Sequence, residues 1–152
     1  GDTELAGSMI DAWLADTGPM IWTSLAQAVI LAGVAVDLRM TDCAARFVEY
    51  LEPFAGCIAT VGQVGCVGPV DLALVGLYRL QGRRDLAVEA LDRADALAER
   101  TGSAPNLLRC RLVELVDGAR GPRRDNALAA LEAQARSMGL RSTAEQARLA
   151  RS

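Results

Sequence analysis

Histidine and lysine are both absent from the 152 residues, and aromatic side chains make up only 4% of them. Without histidine there is no imidazole to act as general base, proton shuttle or metal ligand, which excludes Ser–His, Cys–His and two-histidine metal chemistry carried by this chain alone. Without lysine there is no Schiff-base nitrogen and no phosphate-loop ammonium. The four cysteines, Cys43, Cys57, Cys66 and Cys110, stand 14, 9 and 44 positions apart with no C-x-x-C pair. They read as reduced cytosolic thiols used as small buried apolar side chains, because zinc ligands come in short paired spacings. No catalytic residue, metal or cofactor is expected.

What the chain has is alanine and leucine, 27 and 21 of them, within a composition that is 51% hydrophobic. A core of aliphatic side chains and alanine points to helices, and the length suits one domain. The first residues carry no basic n-region, so secretion is not expected and the cytoplasm is. Met20–Val36 is the most apolar stretch, but it is shorter than the roughly 20 residues a membrane span needs and carries Thr23, Ser24 and Gln27 without basic flanks. It reads as a helix buried on most of its circumference.

Apolar periodicity predicts a helix over 4–15, with Leu5, Met9, Ala12 and Trp13 on its buried stripe, stopped by Asp16-Thr17-Gly18-Pro19. A second helix follows over about 20–38. A third is capped at Thr41-Asp42, has Ala44, Phe47, Val48 and Leu51 inside, and ends at Pro53. Gly56–Gly68 mixes four valines and isoleucines with glycine and reads as an extended connection whose last turn is open to helix. Helices are then expected over 70–80, from Asp85 to Gly102, over 105–118, 126–138 and 142–150. A shift of 37 positions superposes Ala90 on Ala127, Leu91 on Leu128, Ala98 on Ala135 and Gly102 on Gly139. Helix–turn–helix units of this length suggest an all-α solenoid in which each pair covers the apolar face of the one before. Its units would be about 20–53, 69–102 and 104–139, with end helices at 4–15 and 142–150.

The run Leu74-Val75-x-x-Tyr78-x-x-x-Gly82 followed by Ala87-x-x-x-Leu91-x-x-Ala94 resembles one tetratricopeptide unit. Leu31-Ala32-x-x-Ala35 with Ala44, Val48 and Leu51 is a degenerate earlier copy in which Arg39 replaces the turn glycine, and Glu99 stands where the consensus has proline. Leu51-x-Pro53-Phe54-Ala55-Gly56, Cys66-Val67-Gly68-Pro69-Val70, Ala98-Glu99-Arg100-x-Gly102-x-x-Pro105 and Ala135-Arg136-x-Met138-Gly139 together resemble a narrower setting. It is the C-terminal helical-repeat region of large bacterial regulators that join a signalling NTPase module to a nucleotide cyclase or a LuxR-type DNA-binding domain. The resemblance implies a sensor or protein-interaction surface that controls attached domains by binding a protein partner, a neighbouring domain or a small effector, with self-association open. In a tetratricopeptide register the concave side would present Asp37, Arg79, Asn106, Arg109 and Asp117, with Trp22 closing one end of the groove.

Gly62-x-x-Gly65-x-x-Gly68 before a helix suggests a phosphate cradle, but it fits no nucleotide fingerprint and reads better as a connection. Residues 1–75 hold 2 Arg and 9 acids, whereas 76–152 hold 14 Arg and 10 acids. That basic half offers Arg83, Arg84, Arg120, Arg123, Arg124, Arg141, Arg148 and Arg151 to nucleic acid, the alternative function. Interleaved Asp85, Asp92, Asp95, Asp117 and Asp125 favour a solvated, salt-bridged surface instead. A carboxylate and cysteine enzyme would need Glu49, Asp71 or Cys66 gathered in one polar pocket.

Overall fold

The computed structural model describes residues 2–16, 23–63 and 65–151. The chain divides into two compact units, Gly1–Leu97 and Ala98–Ser152, each dominated by helices. In the first, α1 (Asp2–Ala15), α2 (Ser24–Asp37) and α3 (Thr41–Leu51) precede a 3-10 turn at Glu52–Phe54, strands β1 (Ile58–Val61) and β2 (Gly65–Pro69), α4 (Val70–Leu80) and most of α5 (Arg84–Arg100). Helices α2, α3 and α4 pack pairwise, and α1 lies on α2 and α3.

Small side chains make that packing close. Ala26, Ala28, Ala32 and Ala35 of α2 and Ala44 of α3 are buried. Gly76 of α4 approaches α2 so nearly that a Cβ on it would lie 2.9 Å from Val36 Cγ2. Phe47, Leu51, Leu74 and Leu77 fill the remaining volume, each fully buried and each contributing about 1.5–3 kcal/mol of transfer free energy. Trp13 stacks on Phe47 at 6.1 Å and meets Tyr50 edge-on at 5.3 Å, which fastens α1 to α3.

Two expectations are corrected here. On α1 most of the predicted stripe faces water: Leu5 is 62% and Met9 60% exposed, and Ala12 is exposed too, whereas Trp13 packs inward as expected and Ile10 and Leu14 are buried. The helix carries two apolar stripes, and Gly7, beside Met40 Cε, lets the other one settle on the α2–α3 corner. Helix α2 is buried or half-buried round most of its circumference, as expected, with Ile30 and Val34, and Leu38 at its C-cap, left exposed on the remaining face. The connection over 56–68 contains an antiparallel hairpin, so the predominantly α fold carries a small two-stranded sheet. Ile58 pairs with Pro69, Ala59 with Gly68, Thr60 with Cys66 and Val61 with Gly65, with a bulge between Ala59 and Thr60. β-Branched residues fit a pleated half-buried surface, and the hairpin packs on α2. The suggested helical last turn is strand β2, and Pro69 ends it as the residue that caps α4.

The second unit consists of the end of α5, α6 (Ala104–Asp117), α7 (Pro122–Ser137) and α8 (Arg141–Leu149). Helices α6, α7 and α8 also pack pairwise. Their core is Leu108, Leu112, Leu128, Leu131 and Ala147, with Leu115, Leu140 and Ala150 against it.

Helix ends recur in one form. At Gly102 the amide donates to Glu99 O at 3.0 Å and the next amide, of Ser103, reaches back to Ala98 O at 3.0 Å; Gly139 and Leu140 do the same with Arg136 O and Ala135 O. Both glycines are left-handed, at φ 61° and 74°, the conformation this cap demands. The same pair recurs at Arg39, whose amide donates to Val36 O while the next amide, of Met40, reaches back to Ala35 O, with Arg39 at φ 55° and carrying a Cβ that the left-handed region penalises. The Thr17-Gly18-Pro19 stop, the Met20 helix start and Trp22 lie outside the described residues, and α2 begins at Ser24.

Candidate functional site

The five residues assigned to a concave surface divide between the units. Asp37 ends α2 and is exposed, and Arg79 on α4 is half-buried with an interaction of its own. In the second unit Asn106 is 5% exposed, held inside the first turn of α6. Arg109 is half-buried and Asp117, at the end of α6, is exposed; both have partners. Of the five, Asn106 is buried and Arg79, Arg109 and Asp117 already have partners.

Asp37 borders the most conspicuous surface of the first unit. Ile30, Val34 and Leu38 follow at i, i+4 and i+8 along α2 and are 51%, 36% and 38% exposed, and that spacing places them on one helix face. A Cβ added at Gly33 would meet nothing within 4 Å, so the neighbouring surface is open. The signal was in the Met20–Val36 run, whose bulky members read as interior because the alanines that do the burying are less hydrophobic.

Arg109 takes part in a cleft of about 310 Å3 whose other described lining residues are Leu140, Arg141, Ser142, Thr143 and Gln146. These come from the cap and first turns of α8, set against α6. No acid is among them. The sequence offered a faint sign, Ser142-Thr143 directly after the Gly139 cap, but only packing puts Arg109 beside it.

Inside the first unit the polar residues are occupied with structure. Asp71 is fully buried, accepts the Gly56 amide at 2.7 Å and accepts Arg93 Nε at 2.8 Å. The carboxylate thus ties the turn before the hairpin to α4 and α5. Tyr78 donates its hydroxyl to Glu52 Oε1 at 2.7 Å, under the Arg83 guanidinium 5.2 Å from the ring centre. Burial, then the hydrogen bond to Glu52, pushes the Tyr78 phenol up to about 12. Asp71 shares the face of Leu74, Val75 and Tyr78 at i, i+3, i+4 and i+7, so an acid on the predicted core stripe was legible as a buried, partnered group.

Glu49 lines a separate shallow cleft of about 320 Å3 with Leu14, Arg46 and Tyr50, and neither Asp71 nor Cys66 is among its described lining residues. Cys43 and Cys110 are buried as expected, and burial raises the Cys43 thiol; Cys57 and Cys66 are free and exposed at the hairpin, against the expectation of burial. Gly65 and Gly68 of the glycine run belong to β2, and Val64 lies outside the described residues. Among the described residues no group of three acids, cysteines or histidines is placed to hold a metal, and no helix is long and apolar enough to cross a membrane.

Much of the arginine surplus is spoken for. Arg124, its side chain 9% exposed, donates to Leu115 O at 2.6 Å, Ala150 O at 3.0 Å and Val116 O at 3.5 Å. Buried Glu132 pairs with Arg136 at 2.6 Å and with Arg151, and Arg148 pairs with Glu145 at 2.9 Å. That last contact lowers the Glu145 carboxyl and raises the Arg148 guanidinium. No protein-family model, curated protein or solved structure matches the chain.

Proposed function

We propose that the chain is a non-catalytic protein-interaction and sensor module, a tetratricopeptide-like array of helix pairs serving a bacterial transcriptional or signal-transduction regulator in the cytoplasm. The observation that carries the interaction reading is the Ile30–Val34–Leu38 stripe, three large apolar side chains exposed on one face of α2. Contiguous exposed apolar surface marks association sites, and a stripe at this spacing suits the apolar side of a partner helix. The regulator setting rests on the sequence resemblance. Control would follow from differential affinity: a partner that prefers one state of the parent protein shifts its equilibrium by that difference.

A photo-crosslinking amino acid at Val34, with products identified by mass spectrometry in cells making the full parent protein, tests it. The expected result is one dominant protein adduct, lost when Ile30→Asp is added and not formed from exposed Glu89. Equal labelling from Val34 and Glu89 would remove the reading. The nucleic-acid alternative loses support because Arg83, Arg124, Arg148 and Arg151 are engaged within the chain.

A further inference from the structure

We propose that the exposed face of α2 takes a second copy of this chain, the two α2 helices lying antiparallel about a twofold axis. The inference rests on the reading of that face as an association surface and names its occupant.

The face is complementary to itself. The exposed residues of α2 are Gln27, Ile30, Val34 and Asp37, spaced 3, 4 and 3 positions apart. That spacing is the same read from either end. An antiparallel copy centred at the level of Ala32 therefore sets Ile30 opposite Val34 of the other copy, and Gln27 opposite Asp37. Each contact is made twice, as a twofold interface requires. A different protein has no reason to present the same four chemistries in reverse order, whereas a second copy does so by symmetry.

Each pair also matches in kind. Ile30 and Val34 are 51% and 36% exposed, and their reciprocal contact takes four aliphatic side chains out of water. Leu38, at the C-cap, widens the same apolar surface. Gln27 Oε1 accepts the indole N–H of Trp13 at 3.4 Å, so what Gln27 has left to offer is the donor pair on Nε2, and a carboxylate only accepts. Gly33 borders the face, and a Cβ there would meet nothing within 4 Å, so no side chain at that position holds two backbones apart.

The single charge sets the direction. Asp37 is the one charged residue of α2, and it stands in the last turn, where the helix dipole is negative and no basic residue offsets it. The first turn has no acid, and Thr23 at its cap makes no side-chain hydrogen bond. Parallel copies would bring two carboxylates and two negative helix ends together. Antiparallel copies carry each Asp37 to the positive end of the other helix and keep the two carboxylates roughly 15 Å apart along the axis, beyond the screening length at physiological salt.

The interface is small. Four or five side chains from each copy bury less than the roughly 1,200 Å2 of a stable complex, so a dimer with a dissociation constant on the order of 100 µM is expected.

Sedimentation equilibrium of the full chain between about 10 µM and about 1 mM brackets that constant. A reversible monomer–dimer equilibrium is expected, weakened about tenfold or more by Ile30→Asp, which buries an unpaired charge. Val34→Asp repeats the measurement should Ile30→Asp unfold. Gln27→Glu and Asp37→Arg should each weaken the dimer about fivefold, and the two together should restore it to within about twofold, because each contact then pairs an acid with a guanidinium. The two positions are ten residues apart on one helix and cannot pair within a copy, so the rescue reports the antiparallel contact. Glu89→Arg, on exposed α5 surface, should leave the constant unchanged. A chain monomeric throughout that range, a dimer indifferent to both aspartate variants, or a double variant as weak as the single ones would overturn the proposal. The Val34 crosslink separates it from the broader reading: an adduct between two copies supports both, whereas an adduct only to a different protein overturns the second copy and leaves the association surface standing.

Discussion

The two units solve the same problem, closing helices around a small aliphatic core, and differ in the buried charge they add. In the first, a buried carboxylate is the hub: Asp71 gathers the Gly56 amide and the Arg93 guanidinium, and Tyr78 reaches Glu52 across the same region. The second also buries a carboxylate, Glu132 between Arg136 and Arg151, and adds a nearly buried guanidinium: Arg124 gathers the carbonyls that end α6 and α8. Which sign of charge is buried follows from what needs satisfying. A turn and a cation present donors and call for an acceptor, whereas two helix C-termini present orphan carbonyls and call for a planar donor fork. In a chain without lysine or histidine, arginine is the only cationic side chain able to meet the second demand.

The comparison can be broken from either side. The largest effect is expected from Asp71→Ala, which strands a buried amide and one face of Arg93; a loss of about 3 kcal/mol in chemical denaturation is predicted, with hydrogen exchange accelerating at Gly56 and along the hairpin. Next comes pH. Tyr78 has its folded-state pKa raised from 10.0 to about 12, so the folded protein keeps a phenolic proton that the unfolded chain gives up. Its contribution is fully present below pH 10 and is lost as pH rises to about 12, a decline of roughly 2–3 kcal/mol. Tyr78→Phe should abolish that slope, and an unchanged slope would remove the role assigned to the Glu52 contact.

Arg124→Lys tests the other hub. A point-charge ammonium cannot serve three carbonyls from two helix ends at once, so about 2 kcal/mol should be lost, with exchange rising first at the ends of α6 and α8. A loss as large with Arg123→Lys, which is exposed, would deny Arg124 its special place. The smallest effect has the opposite sign. Arg39→Gly removes a Cβ from a left-handed residue at φ 55°, and after the entropy that glycine brings to the unfolded chain a gain of about 0.5–1 kcal/mol is expected in the melting equilibrium.

Much of this architecture was legible beforehand where local signals agree. Val70–Leu80 is a helix over the predicted residues, because Pro69, an apolar stripe and a following Gln-Gly turn point the same way. Gly102 and Gly139 close their helices, as a 37-residue offset suggested. The hairpin was read only as extended because four residues of strand carry too little periodicity to reveal a pairing partner. Asp37, Arg79, Asn106, Arg109 and Asp117 came from an assumed register, and Arg109 lines a cleft in the structure; Arg141, Ser142 and Thr143 were missed as a group because their common neighbour is distant in sequence.

The sequence alone determined that helices dominate, roughly where they start and stop, and which chemistries are closed to a chain without imidazole or ammonium side chains, since those follow from intrinsic propensity, capping and residue inventory. Tertiary structure decided which of two apolar stripes on α1 is interior, that Ile30 and Val34 of α2 stay exposed while its alanines and Val29 are buried, and where Arg124 ends up. Burial is a property of facing surfaces, and a periodic pattern names the candidate faces without saying which one another helix will cover.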